Sequence, residues 1–141
     1  MAMSYGYVYV AQIAMGANLR QTLEVIKEAE AYPGPSIVIA YATCINHIIP
    51  GGMSNSQLQM KRAVEAGYWH LYRFNPLLEK KGENPFKLEA EPTASFQEFI
   101  SGEGRYKILQ RQFPQEAERL FKICEEDAVR RLKAYKRLAN G

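Results

Sequence analysis

The run Ser36-Ile37-Val38-Ile39-Ala40-Tyr41-Ala42 is apolar without alternation. A strand with one wet face alternates apolar and polar side chains, whereas a strand covered on both faces does not. The run therefore predicts a buried strand of a parallel sheet. Upstream, Tyr7-Val8-Tyr9-Val10-Ala11-Gln12-Ile13 is rich in β-branched and aromatic residues and predicts another strand. Between them, Asn18 is suited to cap a helix. Leu19, Leu23 and Ile26 share its inward face, and the helix runs to about Tyr32, where Pro33-Gly34-Pro35 stops it. Strand, helix and strand make a βαβ unit with a right-handed crossover.

Thr43 to Met53 reads as a loop. Ser54-Asn55-Ser56 can cap a second helix to about Ala66, which Gly67 ends. Tyr68-Trp69-His70-Leu71-Tyr72-Arg73-Phe74 predicts a third strand, closed by Asn75-Pro76, and Phe86-Lys87-Leu88-Glu89 a short edge strand. From Gly102 the chain turns helical. Pro114 suits a first helical position. Ala117, Leu120, Phe121, Cys124, Ala128, Leu132, Tyr135 and Leu138 then form one apolar stripe at steps of three and four. The expected class is α/β: a mostly parallel βαβαβ sheet over residues 1–101, followed by a helical C-terminal extension over 102–141. A run covered on both faces and a strand that starts almost at the first residue suggest part of a larger fold.

Composition narrows the classes. Of 141 residues, 47% are hydrophobic and 23% charged, which argues against disorder, collagen and coiled coil. No apolar run reaches the roughly 18 residues of a membrane span, and the first residues carry no signal-peptide pattern. Two cysteines cannot build a disulfide scaffold, which suggests a reducing, cytoplasmic setting. Residues 1–101 carry 8 Lys and Arg against 9 Asp and Glu, and residues 102–141 carry 10 against 6. The basic end, with Arg130, Arg131, Lys133, Lys136 and Arg137, reads as a solvated face that complements the helix dipole, or as a docking site for an acidic partner. Basic residues are not interleaved with aromatics on a sheet, so nucleic-acid binding is not expected.

Cys44-Ile45-Asn46-His47 lies just past the C-terminal end of the second predicted strand, the edge at which open α/β sheets bind ligands. Three readings of Cys44 are open. It is a small buried hydrophobe, a nucleophile with His47 as its base, or a metal ligand, since Cys-x-x-His is half of a zinc site. The other half would need Cys124 and His70. Cys124 lies on the apolar stripe and reads as packing, and His70 as a structural residue of a strand. Glycine-rich phosphate loops and a nucleophile elbow are absent.

Four strings in order carry a specific resemblance: Tyr5-Gly-Tyr-Val-Tyr-Val-Ala-Gln-Ile-Ala-Met-Gly-Ala17, Ala31-Tyr-Pro-Gly-Pro-Ser36, Ile39-Ala-Tyr-Ala-Thr-Cys-Ile-Asn-His47 and Ala63-Val-Glu-Ala-Gly-Tyr-Trp-His-Leu-Tyr-Arg-Phe-Asn-Pro76. With Phe96-Gln97-Glu98-Phe99 and Arg105-Tyr106, they resemble the C-terminal end of pyruvate:ferredoxin (flavodoxin) oxidoreductase. The resemblance implies the last part of a thiamine-diphosphate-binding domain. It implies an enzyme that decarboxylates pyruvate oxidatively with coenzyme A, thiamine diphosphate and magnesium. Electrons would pass through 4Fe-4S clusters to ferredoxin or flavodoxin, in a cytoplasmic homodimer. Cys44 matches the fourth ligand of the cluster nearest the thiamine. Asn46 and His47 would stand beside that ligand and tune it through hydrogen bonds. A cubane needs four thiolates, so the other three ligands, the Gly-Asp-Gly motif and the thiamine contacts are expected upstream, and no catalytic residue is expected here. The competing expectations are a standalone, non-catalytic α/β assembly or binding module with a structural Cys44, and a small zinc-binding domain.

Overall fold

A computed structural model describes residues 1–141, apart from the side chain of His47. Asn18 caps α1 (Leu19–Ala31) as expected, its Oδ1 accepting from the Gln21 amide at 2.9 Å. This helix links β1 (Tyr9–Ile13) to β2 (Ser36–Ala40), and the two strands pair in parallel from Tyr9↔Ser36 to Ile13↔Ala40. Then come α2 (Ser56–Glu65), β3 (Tyr72–Phe74), α3 (Pro76–Glu79) and β4 (Phe86–Leu88). The helical part starts at Phe96, earlier than expected, with α4 (Phe96–Gly102), α5 (Gly104–Gln112) and α6 (Pro114–Asn140). Pro114 occupies the first turn of α6, where a missing N–H costs nothing.

The α/β class holds, but the sheet is mixed and not mostly parallel. Its order is β2-β1-β3-β4, and β3 pairs antiparallel with both β1 and β4. The third strand was expected from Tyr68. Instead Gly67, at φ 71°, ends α2, and the amides of Tyr68 and Trp69 both return to the Ala63 carbonyl, at 3.0 and 3.1 Å. The chain is thus held in a turn until Leu71, and only Tyr72–Phe74 pair. With Arg73 between two aromatics, β3 alternates, as suits an antiparallel strand whose two faces meet different surroundings.

The burial of β2 corrects a second expectation. All five of its residues are exposed, Ile37 and Ile39 to more than 40%. As the end strand it has a neighbour on one side only, and this chain covers its apolar side chains only in part. A third correction concerns α1. Leu19, Leu23 and Ile26 face solvent, each about half exposed, and Gln21, Thr22 and Val25 face the sheet. Two of the inward polar groups find backbone partners: Gln21 Nε2 donates to the Gln12 carbonyl at 3.1 Å and Thr22 Oγ1 to the Asn18 carbonyl at 3.0 Å, while Gln21 Oε1 is buried without a partner among the described residues.

The sheet lies between two helical layers. On one face Tyr9, Ala11 and Ile13 pack with Val25 of α1. On the other, Val8, Val10, Tyr72 and Phe86 pack against Tyr135 and Ala139 near the end of α6. A third cluster joins Ala63, Phe96, Phe99 and Ile100 to Ala117, Phe121 and Ala128, so the stripe of α6 buries its middle as expected. Leu120 and Leu138 of that stripe remain exposed. On the α1 side, Arg73 ties three elements together. Its Nη1 donates to Glu28 at 2.8 Å and its Nε to Glu89 at 2.6 Å, while the Tyr9 hydroxyl donates to the second Glu28 oxygen at 2.8 Å.

Candidate functional site

Past β2 the backbone stays extended for a few residues, with the Tyr41 amide still bonded to the Ile13 carbonyl at 2.9 Å. Thr43 then hydrogen-bonds to Ser56 at the start of α2. Cys44 follows as a free, exposed thiol immediately before a short 3-10 turn, Ile45–His47. Asn46 is exposed on that turn, and the side chain of His47 lies outside the described residues. The turn ends at Ile48, with φ 57° and ψ 93°. A β-branched residue with positive φ carries backbone strain, and among the described residues this is the only such non-glycine position.

This loop forms one wall of a cavity of about 210 Å³, and Cys44 lines it. Tyr41 and Trp69 form another wall, their ring centres 5.5 Å apart, and the Trp69 indole is fixed by its hydrogen bond to the Ile13 carbonyl at 3.1 Å. The last wall comes from the segment that opens α5 and consists of Glu103 and Arg105. Glu103 is buried and accepts a hydrogen bond from Gln59 of α2. Arg105 lies across the Tyr106 ring, with 5.0 Å from its central carbon to the ring centre, and its Nη2 donates to the Tyr68 hydroxyl at 2.6 Å. Burial, reinforced by the Glu103 charge and by Tyr68, raises the Tyr41 hydroxyl to about 12. It is therefore a neutral hydrogen-bonding group at neutral pH.

The structure separates the cysteines and histidines of the sequence reading. His70 is buried beyond the turn at Gly67 and lines a different cavity together with Cys124, and Cys44 is not part of it. Cys124 packs against the helical core cluster, as expected. His70 precedes β3 instead of lying within it, with its ring edge-on to Tyr135 at 5.4 Å. Among the described residues no three His, Cys, Asp or Glu side chains gather into a metal site; of the zinc half-site, the His47 side chain lies outside the described residues. A 4Fe-4S cubane takes four thiolates. Cys44 fits one of them, being exposed, unpaired and at the mouth of a cavity, and this chain supplies no second thiolate beside it. Glu103 and Arg105 were not singled out for chemistry from the sequence. They lie about 60 residues from Cys44, and the only trace of them was the Arg105-Tyr106 pair within the resembling strings.

Comparison with known proteins accords with the sequence motifs. No family model matches the chain. Curated relatives do, along its whole length. The pyruvate-flavodoxin oxidoreductase of Enterobacter agglomerans is 60% identical over 100% of this chain, and the pyruvate:ferredoxin oxidoreductase of Moorella thermoacetica is 58% identical over the same span. The mitochondrial pyruvate dehydrogenase [NADP(+)] of Euglena gracilis is 38% identical, again over 100% of the chain. The chain covers 12% of the length of the first two relatives and 8% of the third. From end to end, this chain is similar to a stretch of the pyruvate-flavodoxin and pyruvate:ferredoxin oxidoreductases that makes up about 12% of their length.

Proposed function

We propose that this chain works as part of a pyruvate:ferredoxin (flavodoxin) oxidoreductase. In this reading, residues 1–101 belong to a thiamine-diphosphate-binding α/β domain and 102–141 form its helical extension. The reading rests on 60% identity along the whole chain to an enzyme named for that reaction. Two structural features agree with it. The apolar strand β2 has a free edge, and α1 turns Leu19, Leu23 and Ile26 outward. Surfaces of this kind favour association, and the rest of a much longer polypeptide would cover them.

Within that enzyme, Cys44 supplies one thiolate to a 4Fe-4S cluster, and the remaining ligands come from outside this chain. The cluster, when bound, relays electrons; thiamine diphosphate with magnesium supplies the bond chemistry on pyruvate, and coenzyme A takes the acetyl group. The residues of this chain position and shield. Tyr41 and Trp69 line the cavity that Cys44 shares, and Asn46 and His47 follow two and three residues after it. No residue of the chain takes a proton-transfer role. Ferredoxin or flavodoxin is the acceptor, the setting is cytoplasmic and the assembly is a homodimer. Among the described residues, no helix is long and apolar enough to cross a membrane.

The test is Cys44→Ala in the full-length enzyme. The expected result is an iron content lower by one cubane, loss of one cluster signal in electron paramagnetic resonance and loss of pyruvate-dependent carrier reduction. Unchanged iron content and unchanged cluster signals would remove Cys44 from the ligand set.

A further inference from the structure

The guanidinium of Arg105 holds more hydrogen-bonding capacity than this chain uses. Its Nη2 is committed to the Tyr68 hydroxyl at 2.6 Å, and the plane is braced by the Tyr106 ring. Its Nε–H is buried and, among the described residues, has no acceptor. The nearest carboxylate oxygen, on Glu103, stands 3.8 Å away, beyond hydrogen-bond reach, and that carboxylate already accepts from Gln59. A buried N–H without an acceptor costs free energy, so the arrangement suits something that brings an acceptor. Arg105 lines the same cavity as Cys44. Its position is set by the Tyr68 hydroxyl, in the turn after α2, and by the neighbouring Tyr106 ring of its own helix α5.

We propose that Arg105 is a positioning residue that presents a hydrogen bond and a positive charge to the sulfur-rich group bound through Cys44, and thereby raises that group's reduction potential. The inference rests on the reading of Cys44 as a 4Fe-4S ligand. Reduction adds one negative charge to a cluster, and a nearby cation stabilises the reduced form more than the oxidised one. Hydrogen bonds to the sulfurs act in the same direction. Without Arg105, the buried Glu103 carboxylate would face the cavity uncompensated and push the potential further down.

The experiment is a potentiometric titration of the full-length holoenzyme, followed by electron paramagnetic resonance, for the parent, Arg105→Gln, Arg105→Lys and Cys44→Ala. The proposal expects Arg105→Gln to keep its full iron and sulfide content and to move the midpoint of one cluster to a more negative value. It expects Arg105→Lys, which keeps the charge but loses the planar fork, to recover most of that shift. Cys44→Ala is expected to lose the same cluster. Unchanged or more positive midpoints in Arg105→Gln would overturn the proposal while leaving Cys44 as a ligand. Should Arg105→Gln fail to assemble, the lysine variant decides. A full cluster set with a near-parental midpoint supports the role of the charge, and loss of the cluster there too makes Arg105 structural and overturns it. Retention of every cluster by Cys44→Ala would bring down the ligand reading itself.

Discussion

Acid is expected to weaken this fold through one histidine. His70 is 4% exposed, lies beside Leu71 ahead of β3 and leans on the Tyr135 ring, and its Nε2 has no partner among the described residues. Burial first, and repulsion by Arg131 of α6 second, lower its pKa from the ordinary 6.5 to about 4. The unfolded chain takes up the proton near 6.5 and the folded chain only near 4. Between those values the unfolded state holds more protons, so stability falls as the pH falls. At about 1.4 kcal/mol per unit, the loss is roughly 2 kcal/mol by pH 5 and levels off near 3 kcal/mol below pH 4. Two measurements on the 141-residue chain check this. The His70 ring proton, assigned by its absence in His70→Gln, should titrate near pH 4 in nuclear magnetic resonance. Urea unfolding at pH 7.5, 6 and 5 should show a pH slope that His70→Gln lacks, which separates it from the carboxylates. A ring that titrates at 6.5 or above, or an identical slope in the variant, would refute the argument.

The ion-pair network and the first turn offer two more tests. Arg73→Met leaves Glu89, only 11% exposed, and Glu28 without their cation. It should cost about 3 kcal/mol in denaturant unfolding, with part of the loss restored by adding Glu89→Gln; a change within the error of the measurement would mean that the network is not a stabilising tie. At Gly16 a Cβ would lie 2.2 Å from the Gln57 carbonyl oxygen, which belongs to the backbone of α2 and cannot rotate away. Gly16→Ala should therefore lower the thermal midpoint, at a cost of about 1–3 kcal/mol, and an unaltered melt would show that the turn after β1 yields freely.

Residue chemistry that acts within a turn or two was legible in advance. Asn18 caps α1, Gly67 ends α2 and Pro114 opens α6, because each meets a backbone requirement created by its immediate neighbours. The place of Cys44 followed in the same way, from a strand that ends and a polar loop that begins. The fold class and the family resemblance also come from the sequence by itself, and similarity along this whole chain to a stretch of the oxidoreductases accords with them.

Only the tertiary structure decided what each surface faces and in which direction the chain returns. The apolar character of β2 describes the cover the strand is suited to, whereas its exposure depends on which segments stand beside it, and here one side is empty. The periodicity of α1 groups Leu19, Leu23 and Ile26 on one face but cannot say whether the sheet takes that face or the opposite one. The answer came from Val25 packing on β1 and Gln21 bonding to the Gln12 carbonyl of that strand. The direction of β3 depended on a turn at Tyr68 and Trp69 that the strand-like composition of those residues hides. Arg105 reaches the Cys44 cavity because α5 is packed there, and no spacing in the sequence encodes an approach across 60 residues. Hydrogen bonds within a turn are local and leave a local mark, but burial, strand direction and the meeting of distant charges are settled by the packing of the whole chain.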